Sequence, residues 1–146
     1  MKVICRCNIG SGLPSSYYEL GYTNQTKFNI QVGKSYWIYG ISLWRNETLH
    51  YLIADEDEHF DYPYYDPTWK PAVLFDIESG KLPRRWYFRK FKEDPEFPLL
   101  ALWGYDELVN SNDRSHYIGL IEREVEHLKI FQERKKEIDA EYAEEG

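Results

Sequence analysis

The sequence lacks the features of an exported or membrane-spanning protein. It contains no run of about 18 apolar residues, which is what a transmembrane helix requires. The apolar run in Met1–Cys7 is too short for the core of an export signal, and Arg6 interrupts it. We therefore expect a soluble, cytoplasmic protein with no membrane partner.

Metal-binding residues are also few. The only cysteines, Cys5 and Cys7, cannot form a disulfide framework, and C-x-C supplies at most half of the ligands of a closed zinc site. No paired spacing that would complete such a site occurs among the four histidines, which are His50, His59, His116 and His127. The sequence predicts no metal and no cofactor, with both cysteines buried as reduced thiols.

Signatures of catalysis are missing as well. The sequence has no G-x-S-x-G, H-E-x-x-H, P-loop or G-x-G-x-x-G motif. One acid–base arrangement is open, a histidine beside a carboxylate, and its candidates are His50 or His59 with Asp55, Asp57 or Asp61. The sequence favours a non-catalytic binding protein and leaves the question of an enzyme open.

Aromatic residues are abundant, with 5 Trp, 13 Tyr and 7 Phe in 146 residues. They are more than enough to close one core, because each buried ring removes roughly 150–250 Å² from water. No linker divides the chain, so we expect a single domain over residues 1–146. The predicted fold is α+β, mainly β in residues 1–104 and mainly helical in residues 105–146.

Short segments rich in aromatic and β-branched residues predict an antiparallel sheet of about five strands, strongly twisted or barrel-like. Gly40 is the expected bend or bulge in the longest segment. The segments 34–44 and 49–54 are expected to form a hairpin. The candidate strands cover residues 2–8, 34–44, 49–54, 71–77, 86–91 and 99–103.

Apolar residues three or four apart predict one long amphipathic helix from about Ser115. The stripe consists of Ile118, Ile121, Val125, Leu128, Phe131 and Ile138. Only about two heptads are clear, which favours packing against the protein's own sheet over a coiled-coil dimer. The residues after Glu137 are expected to fray.

The most unusual stretch is the acidic-aromatic segment, residues 55–69, which combines six carboxylates with aromatic rings. Carboxylates steer and pair with cationic partners, and exposed rings fill pockets on them. A solvated loop is the alternative, but exposed aromatics are costly unless a partner covers them. The predicted partner-binding residues are Asp55, Glu56, Asp57, Glu58, Asp61, Tyr62, Tyr64, Tyr65 and Trp69.

In composition and architecture the chain resembles small acidic bacterial immunity proteins, which neutralise basic toxins such as nucleases. Its size, its net charge of −7 and its acidic-aromatic segment carry this resemblance, and no family-specific motif transfers residue roles. The resemblance implies an inhibitor whose partner is a basic protein.

Two alternatives remain open. The first is a small-molecule-binding or enzymatic β-domain with a pocket lined by Trp37, Trp44, Trp69, Trp86 or Trp103. The second is RNA or single-stranded DNA binding through the basic-aromatic residues 84–92. The net negative charge disfavours nucleic acid, and pairing of these cations with the nearby carboxylates is the preferred interpretation.

The inhibitor hypothesis predicts that serine at residues 55–58 weakens binding to a basic protein recovered from the native host by pull-down. The expected cause is loss of charge complementarity. Unchanged affinity, or recovery of no basic partner, contradicts the hypothesis.

Overall fold

The computed structural model describes residues 1–55 and 66–145, which form an α+β fold as predicted. Eight strands lie in this part of the chain: β1 Lys2–Cys5, β2 Ser35–Trp37, β3 Gly40–Trp44, β4 Thr48–Asp55, β5 Asp66–Pro71, β6 Phe75–Ser79, β7 Tyr87–Lys90 and β8 Leu99–Gly104. Its α-helices are α1 Ser15–Tyr18, α2 Asp106–Asn110, α3 Ser115–Ile121 and α4 Val125–Glu145. None of these helices is long and apolar enough to cross a membrane.

The strands form two antiparallel sheets rather than one. Within the described residues, the smaller sheet has the order β2-β1-β6 and the larger has the order β5-β4-β3-β8-β7. Neither sheet closes on itself, because β5 and β7 are the two outer strands of the larger sheet. The expectation of a single, barrel-like sheet of about five strands is therefore wrong.

The reason is a break in the segment predicted as one long strand. Its first part, β2, pairs with β1, and its second part, β3, pairs with β4 and β8. At the crossing, the Ile38 amide donates to the Met1 carbonyl at 3.1 Å and the Tyr39 amide donates to the Leu52 carbonyl at 2.8 Å. Gly40 follows the break, and a Cβ there would lie 2.7 Å from Leu108 Cδ2.

The hairpin formed by β3 and β4 confirms the prediction for that region. Its turn holds Asn46 and Glu47 with φ of 65° and 58°. Strand β5 was not predicted, because most of it falls in the acidic-aromatic segment, which was interpreted as a loop. The predicted strand 71–77 is instead the last residue of β5, a short turn and the first part of β6. Pro67 and Pro71 are tolerated in β5 since it is an outer strand.

Each face of the larger sheet is covered by a different layer. One face packs against α2, α3 and α4 around Leu52, Leu102, Leu108, Leu128 and Phe131, all fully buried. The other face packs against the smaller sheet around Val3, Tyr36, Ile38, Ile53 and Phe75. Burial of each such side chain contributes about 1.5–3 kcal/mol, so both layers are needed to hold the sheet.

The predicted long helix is two helices, α3 and α4. Between them Arg123 has a left-handed φ of 55°, which turns the chain. Leu128, Phe131 and Ile138 are buried against the sheet, which confirms packing onto the protein itself. Ile121 and Val125 were predicted to belong to the same buried face. They lie at the turn instead and are 47% and 37% exposed.

Tyr142 anchors the end of α4 to the crossing between the sheets. Its ring stacks on Trp37 with centroids 4.2 Å apart, and its hydroxyl donates to the Ile38 carbonyl at 2.8 Å. The Met1 amino group donates to the same hydroxyl at 2.8 Å. Fraying was expected after Glu137, whereas the structure continues the helix to residue 145 and buries Tyr142.

Tyr142 therefore yields a stability prediction. We expect Tyr142→Phe to lower the free energy of unfolding by about 1–2 kcal/mol, because it leaves a buried carbonyl without its donor. Tyr142→Ala should cost about 3–5 kcal/mol by also removing the stacked ring. Urea denaturation measures both, with Tyr87→Phe as the control because Tyr87 is 50% exposed. A control as destabilised as Tyr142→Ala would contradict the anchoring role.

Candidate functional site

Most of the predicted partner-binding residues lie outside the described residues: Glu56, Asp57, Glu58, Asp61, Tyr62, Tyr64 and Tyr65. Their role in binding a basic partner stays a prediction. The structure does describe both ends of this segment. Asp55 ends β4 and is the cross-strand partner of Asp66, the first residue of β5. The two ends of the acidic-aromatic segment are therefore held side by side.

Trp69, the last predicted partner-binding residue, lies on β5 and is only partly exposed. Its ring contacts Tyr117 of α3 with centroids 5.5 Å apart. It packs against the helix-facing core. The Trp69 ring therefore lies between the larger sheet and the helices.

Trp69 and Trp44 line the same pocket, which has a volume of about 310 Å³. We call it the His50 pocket, after the histidine in its lining. Its walls come from the loop after α1, strands β3 to β5 and the end of α3, through Leu20, Tyr22, Trp44, His50, Pro67, Thr68, Trp69, Leu120, Ile121 and Arg123. The other tryptophans lie elsewhere: Trp37 stacks on Tyr142, Trp86 packs against the core between the sheets, and Trp103 contacts Phe88.

Strand register explains why these side chains converge. Ser42 is opposite His50, and Leu52 is opposite Trp69. Side chains two residues apart on a strand share a face, so His50 and Leu52 point to the same side, as do Ser42 and Trp44. Leu52 is part of the helix-facing core, which places this polar group under the helices.

Buried polar atoms without a hydrogen-bond partner cluster around this pocket. Seven side-chain atoms among the described residues lack a partner in good hydrogen-bond geometry, and six of them belong to pocket residues or their immediate neighbours. Of these six, the Tyr117 hydroxyl interacts with the Trp44 indole, and the His50 ring interacts with the Thr48 backbone. Ser42 Oγ, Thr68 Oγ1 and Trp69 Nε1 remain unpaired, and each such group costs about 1–3 kcal/mol. Buried polar groups are usually paired, so these three atoms distinguish the pocket from the rest of the core.

The interior of the His50 pocket is uncharged at neutral pH. Burial lowers the pKa of His50 to about 4, so its ring is neutral. Burial raises the pKa of Tyr22 and Tyr117, so both hydroxyls stay protonated. The His50 ring lies between Tyr17 and Trp44, with centroids at 5.7 and 5.5 Å, and its Nε2 is 3.4 Å from the Tyr22 hydroxyl.

An ion pair borders the pocket. Arg123 donates to both oxygens of Asp66, Nε to Oδ1 at 3.2 Å and Nη2 to Oδ2 at 3.1 Å. The Asp66 side chain is 6% exposed, whereas that of Arg123 is 49% exposed. The left-handed backbone of Arg123 costs about 1–2 kcal/mol. Strain of this kind, next to a pocket, is typical of functional positions.

Two histidines fix the helices that form one pocket wall. His116 of α3 and His127 of α4 have their Nδ1 atoms 2.8 Å apart, and the Tyr105 hydroxyl is 2.7 Å from His116 Nε2. Both contacts are satisfied if the Tyr105 hydroxyl donates to His116 Nε2 and His116 Nδ1 donates to His127 Nδ1. A Cβ at Gly119 would lie 2.1 Å from His127 Cδ2, so glycine makes room for this ring.

The arrangement can bind by hydrogen bonding and ring contact. Asp66, the acid at the pocket edge, is engaged by Arg123, and His50 is too weak a base to accept a proton at neutral pH. Among the described residues, no three His, Cys, Asp or Glu side chains group as a metal site. The pocket therefore suits a ligand better than it suits acid–base or metal chemistry.

Sequence reasoning identified only part of this site. Trp44 and Trp69 were candidates for a pocket, but His50 was considered only beside loop carboxylates. Thr68, Tyr117 and Arg123 were missed, since Arg123 meets Asp66 across 57 positions of sequence. The available signal was the alternation of Ser42, Trp44 and His50 across the predicted hairpin.

The basic-aromatic residues 84–92 lie far from the pocket's strands. Arg84 is neutralised by Glu141 and Glu144 of α4, at 3.2 and 3.1 Å. Strand β7, which follows, is the opposite outer strand from β5, where the acidic-aromatic segment rejoins the sheet. We expected the carboxylates of the acidic-aromatic segment to pair with these cations. For Arg84, the carboxylates come instead from helix α4.

Comparison with known proteins identifies no relative: no family model matches the sequence, and neither a curated protein nor a solved structure matches it. The site is therefore interpreted from its own geometry.

The buried histidines give a pH prediction. Burial lowers the pKa of His50 to about 4 and, together with His127, that of His116 to about 3, against 6.5 without burial. Below pH 6.5 the unfolded chain therefore binds protons that the folded chain does not. Stability should fall by about 1.4 kcal/mol per pH unit for each histidine as the pH drops toward 4.

Urea denaturation at several pH values between 7.5 and 4.5 tests this, at about one-half unit spacing. His50→Gln should reduce the slope of the free energy of unfolding against pH by about 1.4 kcal/mol per pH unit, which is the contribution of one histidine. The difference between the two slopes isolates His50 from the carboxylates, which also titrate in acid. Equal slopes would contradict the assignment of a buried, neutral His50.

Proposed function

We propose that this protein binds a small molecule in the His50 pocket. The observation that supports the proposal is the concentration of unsatisfied buried polar atoms at this place. A ligand that forms hydrogen bonds with some of these atoms offsets part of the free energy lost by burying them unpaired. The volume of about 310 Å³ lies at the lower end of the range for small-molecule sites.

The chemistry of the pocket suggests the kind of ligand. The indole nitrogen of Trp69 has no partner and is a donor only, so it calls for a carbonyl or ether oxygen or a ring nitrogen on the ligand. His50 is neutral and the charge of Arg123 is balanced by Asp66. An uncharged ligand therefore fits better than an ion, because no unpaired charge compensates its desolvation. The surrounding rings favour a planar ligand.

A second candidate is the inhibition of a basic protein by the acidic-aromatic segment. The observation in its favour is the pairing of Asp55 with Asp66, which holds both ends of the segment at one hairpin. A segment tethered in this way loses less entropy on binding than a free one. The residues that line the His50 pocket, in contrast, all lie in the described part of the chain.

The first proposal is tested by a screen of small planar amides, lactams and heteroaromatic compounds against the ¹⁵N-labelled protein. We expect binders to shift the indole N–H signals of Trp44 and Trp69 and to leave that of Trp103 in place. Ile121→Trp should block the pocket and weaken binding by at least about tenfold, because Ile121 lies in its wall and is 47% exposed.

Val125→Trp is the matched control, because Val125 is 37% exposed and is not part of the pocket wall. Compounds that bind both variants equally, or that shift Trp103 alone, would contradict the proposal. So would a screen in which no compound shifts Trp44 or Trp69.

A further inference from the structure

Strand β7 has no partner strand on one of its sides among the residues that the structure describes. It is the outer strand beside β8, and all four of its side chains are exposed. The outer backbone groups of such a strand can pair with another extended chain.

The hydrogen-bond pattern identifies the free backbone groups. The Phe91 amide donates to the Leu100 carbonyl at 2.8 Å, so this pair is hydrogen-bonded. Bonded and non-bonded pairs alternate along an antiparallel ladder. Arg89 therefore bonds inward to β8, whereas the N–H and C=O groups of Phe88 and Lys90 point outward. They provide two donors and two acceptors for a guest strand.

The side chains along this edge are basic. Arg85, Arg89, Lys90 and Lys92 have no ion-pair partner among the described residues, in contrast to Arg84 with its two glutamates. Arg89 lies over the Phe91 ring, 5.2 Å from its centroid, which orients its guanidinium at this edge. The edge is therefore complementary to a chain that carries carboxylates.

Exposed rings add apolar surface to the same edge. Phe88 is 56% exposed and Tyr87 is 50% exposed. Phe88 contacts Trp103 of β8 with centroids 4.7 Å apart, which holds its ring in place. A held ring binds an incoming side chain at a low cost in entropy.

We propose that β7 binds an acidic polypeptide segment in extended conformation, added as a strand along its outer edge. The backbone groups of Phe88 and Lys90 supply the pairing, and the four cations supply selectivity for carboxylates. A second copy of this protein is disfavoured, because two β7 edges would bring like charges together. Nucleic acid lacks the alternating amide and carbonyl groups that the edge can pair with.

The probe is a fluorescein-labelled peptide of about ten residues with alternating glutamate and valine, followed by anisotropy. A peptide of the same sequence with N-methyl groups on all of its central residues has no edge left that can pair as a strand. We expect the plain peptide to bind, and the methylated peptide to bind at least about tenfold more weakly. Equal binding of the two peptides would overturn strand addition.

Two variants at one position separate charge from backbone. Lys90→Ala removes only the charge and should weaken binding modestly. Lys90→Pro also removes an N–H that makes no bond to β8, and proline is tolerated on outer strands. It should weaken binding by a further factor of about ten. Equal affinities of the two variants would overturn the proposal.

Competing occupants are tested with the same protein. Oligothymidylate that displaces the peptide more effectively than unlabelled peptide would overturn the proposal in favour of nucleic acid. Self-association in analytical ultracentrifugation that Lys90→Pro abolishes would overturn it in favour of a second copy. The proposal is independent of the His50 pocket, since Ile121→Trp should leave peptide binding unchanged.

Discussion

The crossing at Ile38 and Tyr39 is the constraint on which the two-layered structure depends. Ile38 is fully buried in the core between the sheets, and Tyr39 is buried in the helix-facing core. Two consecutive residues therefore belong to two cores, as alternation along extended backbone requires. The Ile38 carbonyl also accepts the bond from Tyr142, and the Tyr39 hydroxyl donates to Asp139 of α4. Both sheets and the last helix thus share one short piece of backbone.

The helix-facing layer has two parts with opposite physical character. Around Phe131, Leu128 and Leu108 it is apolar and fully buried. Around His50 it contains polar atoms that the chain does not satisfy. A domain has only about 5–15 kcal/mol of net stability, so the second part is sustained by the burial in the first. The link between His116 and His127 connects the two parts, since the helix that carries His116 also supplies Leu120 to the pocket wall.

The sequence predicted the local elements better than their assembly. Alternating aromatic residues identified β3 and β4, and spacing identified the buried face of α4 through Leu128, Phe131 and Ile138. A bend was predicted at Gly40, but not that the two parts of residues 34–44 pair in different sheets. The turn at Arg123 was also invisible, since Ile121 and Val125 keep helical spacing across it while both face outward. In each case tertiary packing overrides a consistent local pattern.

The site was less predictable than the fold for the same reason. Trp44, His50 and Trp69 come together only because β4 lies between β3 and β5, and strand order cannot be read from the residues of any one strand. Asp66 was counted among the carboxylates of the acidic-aromatic segment and was not among the predicted partner-binding residues. The structure pairs it with Arg123 and buries it, which is a contact between β5 and a helix turn.

The exposure of β7 also has a consequence for motion. None of its side chains is buried, and it is held by its ladder to β8, by the contact of Phe88 with Trp103 and by contacts with α2. Strands with little buried surface open locally at a lower free energy than the core does. The amide of Arg89, which bonds inward, should therefore exchange with solvent sooner than that of Leu52 in the central sheet. A guest strand paired with β7 would slow this exchange. The exchange rate of the Arg89 amide would therefore measure directly whether a guest strand is bound.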